Sequence, residues 1–109
     1  MIQLTVLYGQ PRDAAAFDRY YDGQHAALVQ KIPGLKGFTV TRPTPLGQQE
    51  TAAAPYVIAN LYFDSMGAFQ AALQSPEGQA VAGDLQNFAS GGATLLVGEV
   101  QTSSPVTIR

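Results

Sequence analysis

The sequence predicts an α+β domain in which one four-stranded antiparallel sheet carries helices on a single face. Three observations point there. Four short segments alternate apolar and polar residues or are rich in β-branched and aromatic side chains; two longer stretches repeat apolar residues at steps of three and four behind capping residues; and the six run in the order β-α-β-β-α-β. That order is the ferredoxin-like split unit. A chain of 109 residues has room for one core, so residues 1–109 are expected to form a single domain.

Ile2, Leu4, Val6 and Tyr8 fall on one face of a period-two segment, with Gln3, Thr5 and Leu7 on the other. Gly9-Gln10-Pro11-Arg12 breaks this first strand, and Asp13 is placed to cap a helix from about residue 14 to 31. On that helix Phe17, Tyr21, Gln24, Leu28 and Ile32 share one face, and His25 falls on its flank. Gly23 is anomalous, because glycine inside a helix costs about 1 kcal/mol relative to alanine. It marks either a local bend or a close approach of the backbone to another element. Pro33-Gly34 ends the helix.

A second strand covers about residues 36–42, with Phe38 and Val40 on one side. The stretch from Pro43 to Pro55 has no periodicity and contains three prolines, so the region around residues 44–54 reads as a long connection of the kind that forms lids or partner contacts. Residues 56–63 make the strongest strand, apolar on both faces. Asp64 or Ser65 caps a short helix through Leu73, and Ser75-Pro76 restarts one that runs to about Phe88. After Ser90-Gly91-Gly92, residues 93–100 supply the fourth strand.

Two helical regions cover one side of such a sheet, while the third and fourth strands are apolar on both sides. The uncovered face therefore calls for a partner, most economically a second copy packed sheet to sheet. Composition agrees: 46% of residues are apolar and only 13% charged, about half the usual charged share, which fits a surface partly covered by another subunit. The net charge of -2, spread without runs, gives no footprint for nucleic acid or an anionic membrane. No apolar run approaches the roughly 20 residues of a membrane helix, and the N-terminus reads as a strand and not as a signal peptide. The absence of cysteine removes disulfides and thiolate chemistry and fits a soluble protein of the reducing cytoplasm.

His25 is the only histidine, and so the default general acid or base near neutral pH. On spacing alone a structural histidine satisfied by a carbonyl has the edge over a catalytic one. A metal role is disfavoured, since there is no second histidine or cysteine and Asp22 is an isolated carboxylate. Tyr21 lies four residues before His25, and Tyr8 can point to the same side of the sheet, so either phenol is placed to bind a carbonyl oxygen or simply to fill the core. Asp84 and Asn87 stand three apart on one helix face, where the aspartate either orients the imidazole or meets solvent. No Gly-x-Gly-x-x-Gly, Walker or Gly-x-Ser-x-Gly pattern is present, which removes nucleotide-binding and serine-hydrolase readings. No cofactor is therefore expected.

Tyr20-Tyr21 with His25-Ala26 and Lys31-Ile32-Pro33-Gly34-Leu35, followed by Ser75-Pro76-Glu77-Gly78, Asp84-Leu85, Asn87-Phe88 and Gly98-Glu99-Val100, resembles the EthD domain family, named for ethyl tert-butyl ether degradation. The resemblance implies a dimeric α+β barrel, a homodimer of ferredoxin-like protomers. It also implies a pocket between helices and sheet in which His25 acts with Asp84; Tyr8, Tyr21, Asn87 and Phe88 are expected to meet the substrate there. Relatives on this fold include cofactor-free monooxygenases, lactone isomerases and polyketide cyclases or dehydratases. The expected function is thus His-mediated proton transfer on a hydrophobic, aromatic or ketone-bearing compound, as an oxidoreductase or an isomerase or lyase. The alternative is a non-catalytic protein that binds a small ligand for a degradation or biosynthesis pathway.

Overall fold

A computed structural model describes residues 1–47 and 54–101. The strands are β1 (Ile2–Tyr8), β2 (Gly37–Thr41), β3 (Val57–Phe63) and β4 (Ala93–Glu99). They form one antiparallel sheet in the order β2-β3-β1-β4, so the most regular period-two segments become the two central strands. Direct pairing of Leu4 with Leu61 and Val97, and of Val6 with Ala59 and Leu95, places these residues on one face. Ile2, Leu4, Val6, Tyr8, Val57, Ala59, Leu61 and Phe63 are all buried beneath the helices. Each large apolar side chain among them contributes about 1.5–3 kcal/mol by leaving water.

The opposite face differs from the expectation. It is not uniformly apolar: Gln3, Thr5 and Asn60 form a hydrogen-bonded cluster at its centre, the Thr5 hydroxyl donating to Asn60 Oδ1 at 2.7 Å and the Gln3 amide to both partners. Leu7, Ile58, Tyr62 and Leu96 share that face by register. β4 is exposed along both sides after Ala93, because the helices do not reach across it.

The expected single helix over residues 14–31 is three pieces: α1 (Ala14–Tyr20), a π-helical turn (Tyr21–His25) and α2 (Ala26–Val29). Asp13 caps α1 by accepting from the Ala16 N–H at 3.1 Å. The Ala26 N–H donates to the Tyr21 carbonyl five residues back, which is the π pattern. A Cβ placed on Gly23 would have no neighbour within 4 Å, so of the two roles for this glycine it is the bend, not a close approach, that the backbone takes.

The wider turn alters which residues face inward. An α-helix of 3.6 residues per turn overshoots at each step of four, whereas a widened turn brings such steps closer into line. Phe17, Tyr21, His25, Val29 and Ile32 form the buried stripe, while Gln24 is exposed and Leu28 half-buried. His25 therefore lies in the centre of the inward face and not on its flank.

α3 (Met66–Gln74) and α4 (Pro76–Phe88) follow β3. Ser65 caps α3, and Ser75 caps α4 by accepting from the Gly78 N–H at 3.0 Å while donating to the Ala72 carbonyl at 2.6 Å. A Cβ on Gly78 would fall 2.0 Å from that carbonyl, so the helix junction requires glycine there. The expectation of a lid around residues 44–54 lies, for residues 48–53, outside the described residues.

Candidate functional site

Between the sheet and the helices lies a cavity of about 60 Å³, lined by Leu4, Val6, Tyr8, Tyr21, His25 and Leu61 among other residues nearly all apolar. Leu73 of α3 and Leu95 of β4 also line it and are 46% and 49% exposed, which places its rim at the β4 side. β1 ends by delivering Tyr8 to this space, and the π turn delivers Tyr21 and His25 across from it. Phe88 packs on His25 with centroids 4.5 Å apart and also touches Tyr8, Phe17, Tyr20 and Tyr21.

His25 is only 2% exposed. Its Nδ1 lies 2.9 Å from Asp84 Oδ2, and its Nε2 lies 3.4 Å from the Tyr8 hydroxyl. Burial pulls the His25 proton affinity down more than the hydrogen bond and charge of Asp84 raise it, so the imidazole is neutral at pH 7. A carboxylate can only accept, so the neutral ring carries its proton on Nδ1 and turns the Nε2 lone pair toward the cavity. That is the tautomer a general base requires.

Asp84 is held from behind. Burial alone would raise its carboxyl, but hydrogen bonds from Tyr20, Asn87 and His25 outweigh it and keep the group below its ordinary value. The Tyr20 hydroxyl donates to Oδ1 at 2.5 Å and the Asn87 amide to the same oxygen at 2.9 Å. Tyr20, Asn87 and Phe88 line an outer cleft with Arg12, Asp13 and Ser90.

Of the residues singled out in the sequence, His25, Tyr8 and Tyr21 line the cavity together, and Asp84 touches His25 from the other side. Asn87 and Phe88 do not line it: Asn87 binds Asp84 and Phe88 backs the imidazole. Tyr20 is the residue the sequence reading missed. It sits three residues beyond Phe17 on α1, which gave a sign of a half-buried ring but none of an aspartate 64 positions away. A second polar cluster, Asp18 with Arg42 at 2.7 Å and Tyr56 at 3.0 Å, braces α1 against the sheet edge at the surface. Among the described residues no group of three or more His, Cys, Asp or Glu is placed to hold a metal ion, and no helix is long and apolar enough to cross a membrane.

A family model for the EthD domain matches residues 10–92. The chain belongs to the EthD domain family. The EthD chain is 42% identical over 105 residues to an uncharacterised 11.0 kDa protein from the thcB-thcC intergenic region of Rhodococcus erythropolis, covering 96% of this chain and 100% of that one. The crystal structure of an EthD family protein from Bacillus halodurans C-125 superposes with a TM-score of 0.85 at 38% identity, over 93% of this chain and 99% of the other. Two more distant structures share the fold. One is a dimeric ferredoxin-like protein of unknown function from Thermobifida fusca YX, with TM-score 0.68 and 14% identity over 91% of this chain and 90% of that one. The other is SnoaB, a cofactor-independent oxygenase from Streptomyces nogalater, with TM-score 0.67 and 16% identity over 96% of this chain and 97% of that one.

Proposed function

We propose that this EthD protein is a small-molecule enzyme in which His25 moves a proton on a hydrophobic, aromatic or ketone-bearing compound held in the cavity between sheet and helices. The observation that carries the reading is the orientation of His25, with Nδ1–H fixed on a buried carboxylate at 2.9 Å and Nε2 turned to the Tyr8 hydroxyl at the wall of a mostly apolar cavity. A neutral imidazole so held takes a proton from the carbon next to a carbonyl, and the Tyr8 or Tyr21 phenol donates a hydrogen bond to the oxygen as it gains charge. Return of the proton to another carbon completes an isomerisation; its delivery from Nε2 to a β-hydroxyl, which leaves as water while the C=C bond forms, completes a dehydration. Electron transfer from the carbanion to molecular oxygen begins an oxidation of the kind named for SnoaB.

The protein is proposed to work as a cytoplasmic homodimer. The exposed Leu95, Leu96 and Val97 on β4, the mixed open face of the sheet and the dimeric ferredoxin-like relative support the pairing, and the cysteine-free composition supports the compartment. Light scattering at micromolar concentration should return a dimer mass; a monomer would overturn that part.

Exchange of the methyl protons of acetophenone in D2O tests the chemistry. The wild-type protein should accelerate exchange over buffer, and His25→Ala and Asp84→Asn should each lose about a hundredfold or more of that rate. Undiminished exchange in a folded His25→Ala protein rejects the assignment. Binding of acetophenone with no exchange in the wild type makes the protein a carrier instead.

A further inference from the structure

Tyr21 is 1% exposed, and its hydroxyl is the one buried side-chain polar atom without a hydrogen-bond partner among the described residues. Such groups are rare in folded proteins because the donor loses water and gains nothing in exchange. Tyr21 lines the cavity, and the surroundings leave its hydroxyl no protein acceptor. The Tyr8 hydroxyl, 3.4 Å from His25 Nε2, also comes near enough to the Tyr21 oxygen to lower its proton affinity as a donor; the Tyr21 hydrogen itself has no acceptor.

We infer that Tyr21 is the oxygen-recognising residue of the cavity, and that its ligand is a neutral, compact compound with one carbonyl oxygen on an otherwise apolar body. The inference rests on reading the cavity as a ligand site and does not depend on catalysis. Four features define the class. Burial lifts the Tyr21 phenol to about 12 and raises Tyr8 as well, so both remain protonated at neutral pH, and Tyr21, whose hydrogen has no protein acceptor, offers it to a ligand. The lining holds no lysine or arginine and His25 is neutral, so a carboxylate or phosphate would be a buried charge without a partner. Leu4, Val6, Val29, Leu61 and Leu85 leave the body of the ligand only apolar contacts. A space of about 60 Å³ is smaller than the ~150 Å³ that encloses benzene, so it takes only the oxygen-bearing end of a compact ligand, whose ring reaches the rim at Leu73 and Leu95.

A ligand placed this way sets its carbonyl at Tyr21 and the adjoining carbon toward His25, whose ring centroid lies 5.3 Å from that of Tyr21. In the step that follows, the C–H bond breaks, the N–H bond forms at Nε2, and the electron pair moves into the C=C bond as the carbonyl π pair moves onto oxygen. Tyr21 donates a hydrogen bond to that oxygen and keeps its proton.

Three probes of nearly one shape test the inference: acetophenone, α-methylstyrene, which replaces C=O by C=CH2, and benzoate, which adds a charge. Titration followed by NMR of the full chain should show acetophenone binding about tenfold tighter than α-methylstyrene, the ratio one neutral hydrogen bond supplies, with benzoate weakest. Tyr21→Phe keeps the ring stacked on Phe17 and should erase the ratio while leaving α-methylstyrene affinity unchanged. It should also raise the melting temperature of the empty protein, because the unpaired hydroxyl is gone. A ratio that persists in Tyr21→Phe, benzoate binding equal to acetophenone, or no acetophenone binding at millimolar concentration would each overturn it. A surviving ratio in the wild type without His25-dependent exchange removes the catalytic proposal and leaves the ligand class standing.

Discussion

The two sides of the His25 ring are built from opposite materials. On the Nε2 side lie Tyr8, Tyr21 and a cavity of aliphatic and phenylalanine side chains; on the Nδ1 side lie Asp84, Tyr20 and Asn87, open to an outer cleft. The apolar side keeps the imidazole neutral by denying it water, and the polar side decides which nitrogen carries the proton. Neither side alone makes a base: desolvation without Asp84 leaves the tautomer free, and Asp84 without desolvation favours the imidazolium.

Phe88 is the partition, since it packs on His25 and also lines the outer cleft. Phe88→Ala should have the largest effect on the contrast, costing about 3–5 kcal/mol of stability in urea unfolding. Water entering from the cleft should also bring the His25 pKa back up toward its ordinary value, read from the imidazole proton shifts. A variant that keeps the lowered pKa would show that the cavity side, not this ring, dries the histidine.

The neutral state of His25 has a sign in the stability curve. Its folded pKa lies below the ordinary 6.5, so as pH falls below 6.5 the unfolded chain takes up a proton that the folded protein does not bind until its lower value is reached. Stability should therefore drop through that window by up to ~1.4 kcal/mol per pH unit and level off below the folded pKa. The Asp84 share has its own window: its lowered carboxyl stabilises above 3.8 and is lost below it. Denaturant melts of His25→Gln should be flat where the wild type slopes; equal slopes would assign the dependence to other groups.

The smallest expected change comes from Tyr20→Phe, which keeps the ring stacked on Phe88 and removes the donor to Asp84 together with a long 3.4 Å contact from the Asn87 amide. A carboxylate with one donor fewer is a stronger base, so the His25–Asp84 pair should bind its proton more readily and its apparent pKa should rise. In turnover, the base-dependent limb should move to higher pH by the same amount. An unchanged titration would reduce Tyr20 to a packing residue.

Local signals carried most of the fold. Alternation in Ile2–Tyr8 and in Val57–Phe63 was enough to locate the central strands, because burial on one face imposes period two. Asp13 and Ser75 marked the starts of α1 and α4 because orphan N–H groups need an acceptor nearby in sequence. On the first helical region the α period places Phe17, Tyr21 and Ile32 on the buried face but puts Gln24 and Leu28 where His25 and Val29 belong, since a regular α period cannot reveal a π turn. Gly23 was the one hint of it. The polar cluster on the open face of the sheet is not legible either, because Asn60 and Gln3 look like isolated polar interruptions until β1 and β3 pair.

What the sequence determined by itself is the order of elements, the caps and a lone imidazole on an inward helix. All of these depend on spacings of a few residues, over which backbone geometry is nearly invariant. Tertiary structure alone decided what that imidazole is. It brings Asp84 to Nδ1 from 59 positions away, Tyr20 to Asp84 from 64, and Tyr8 to Nε2 from 17. Those distances in sequence are closed only when two helices and a strand pack on one another, and burial, the cause of the neutral base and of the unpaired Tyr21 hydroxyl, exists only in the packed state.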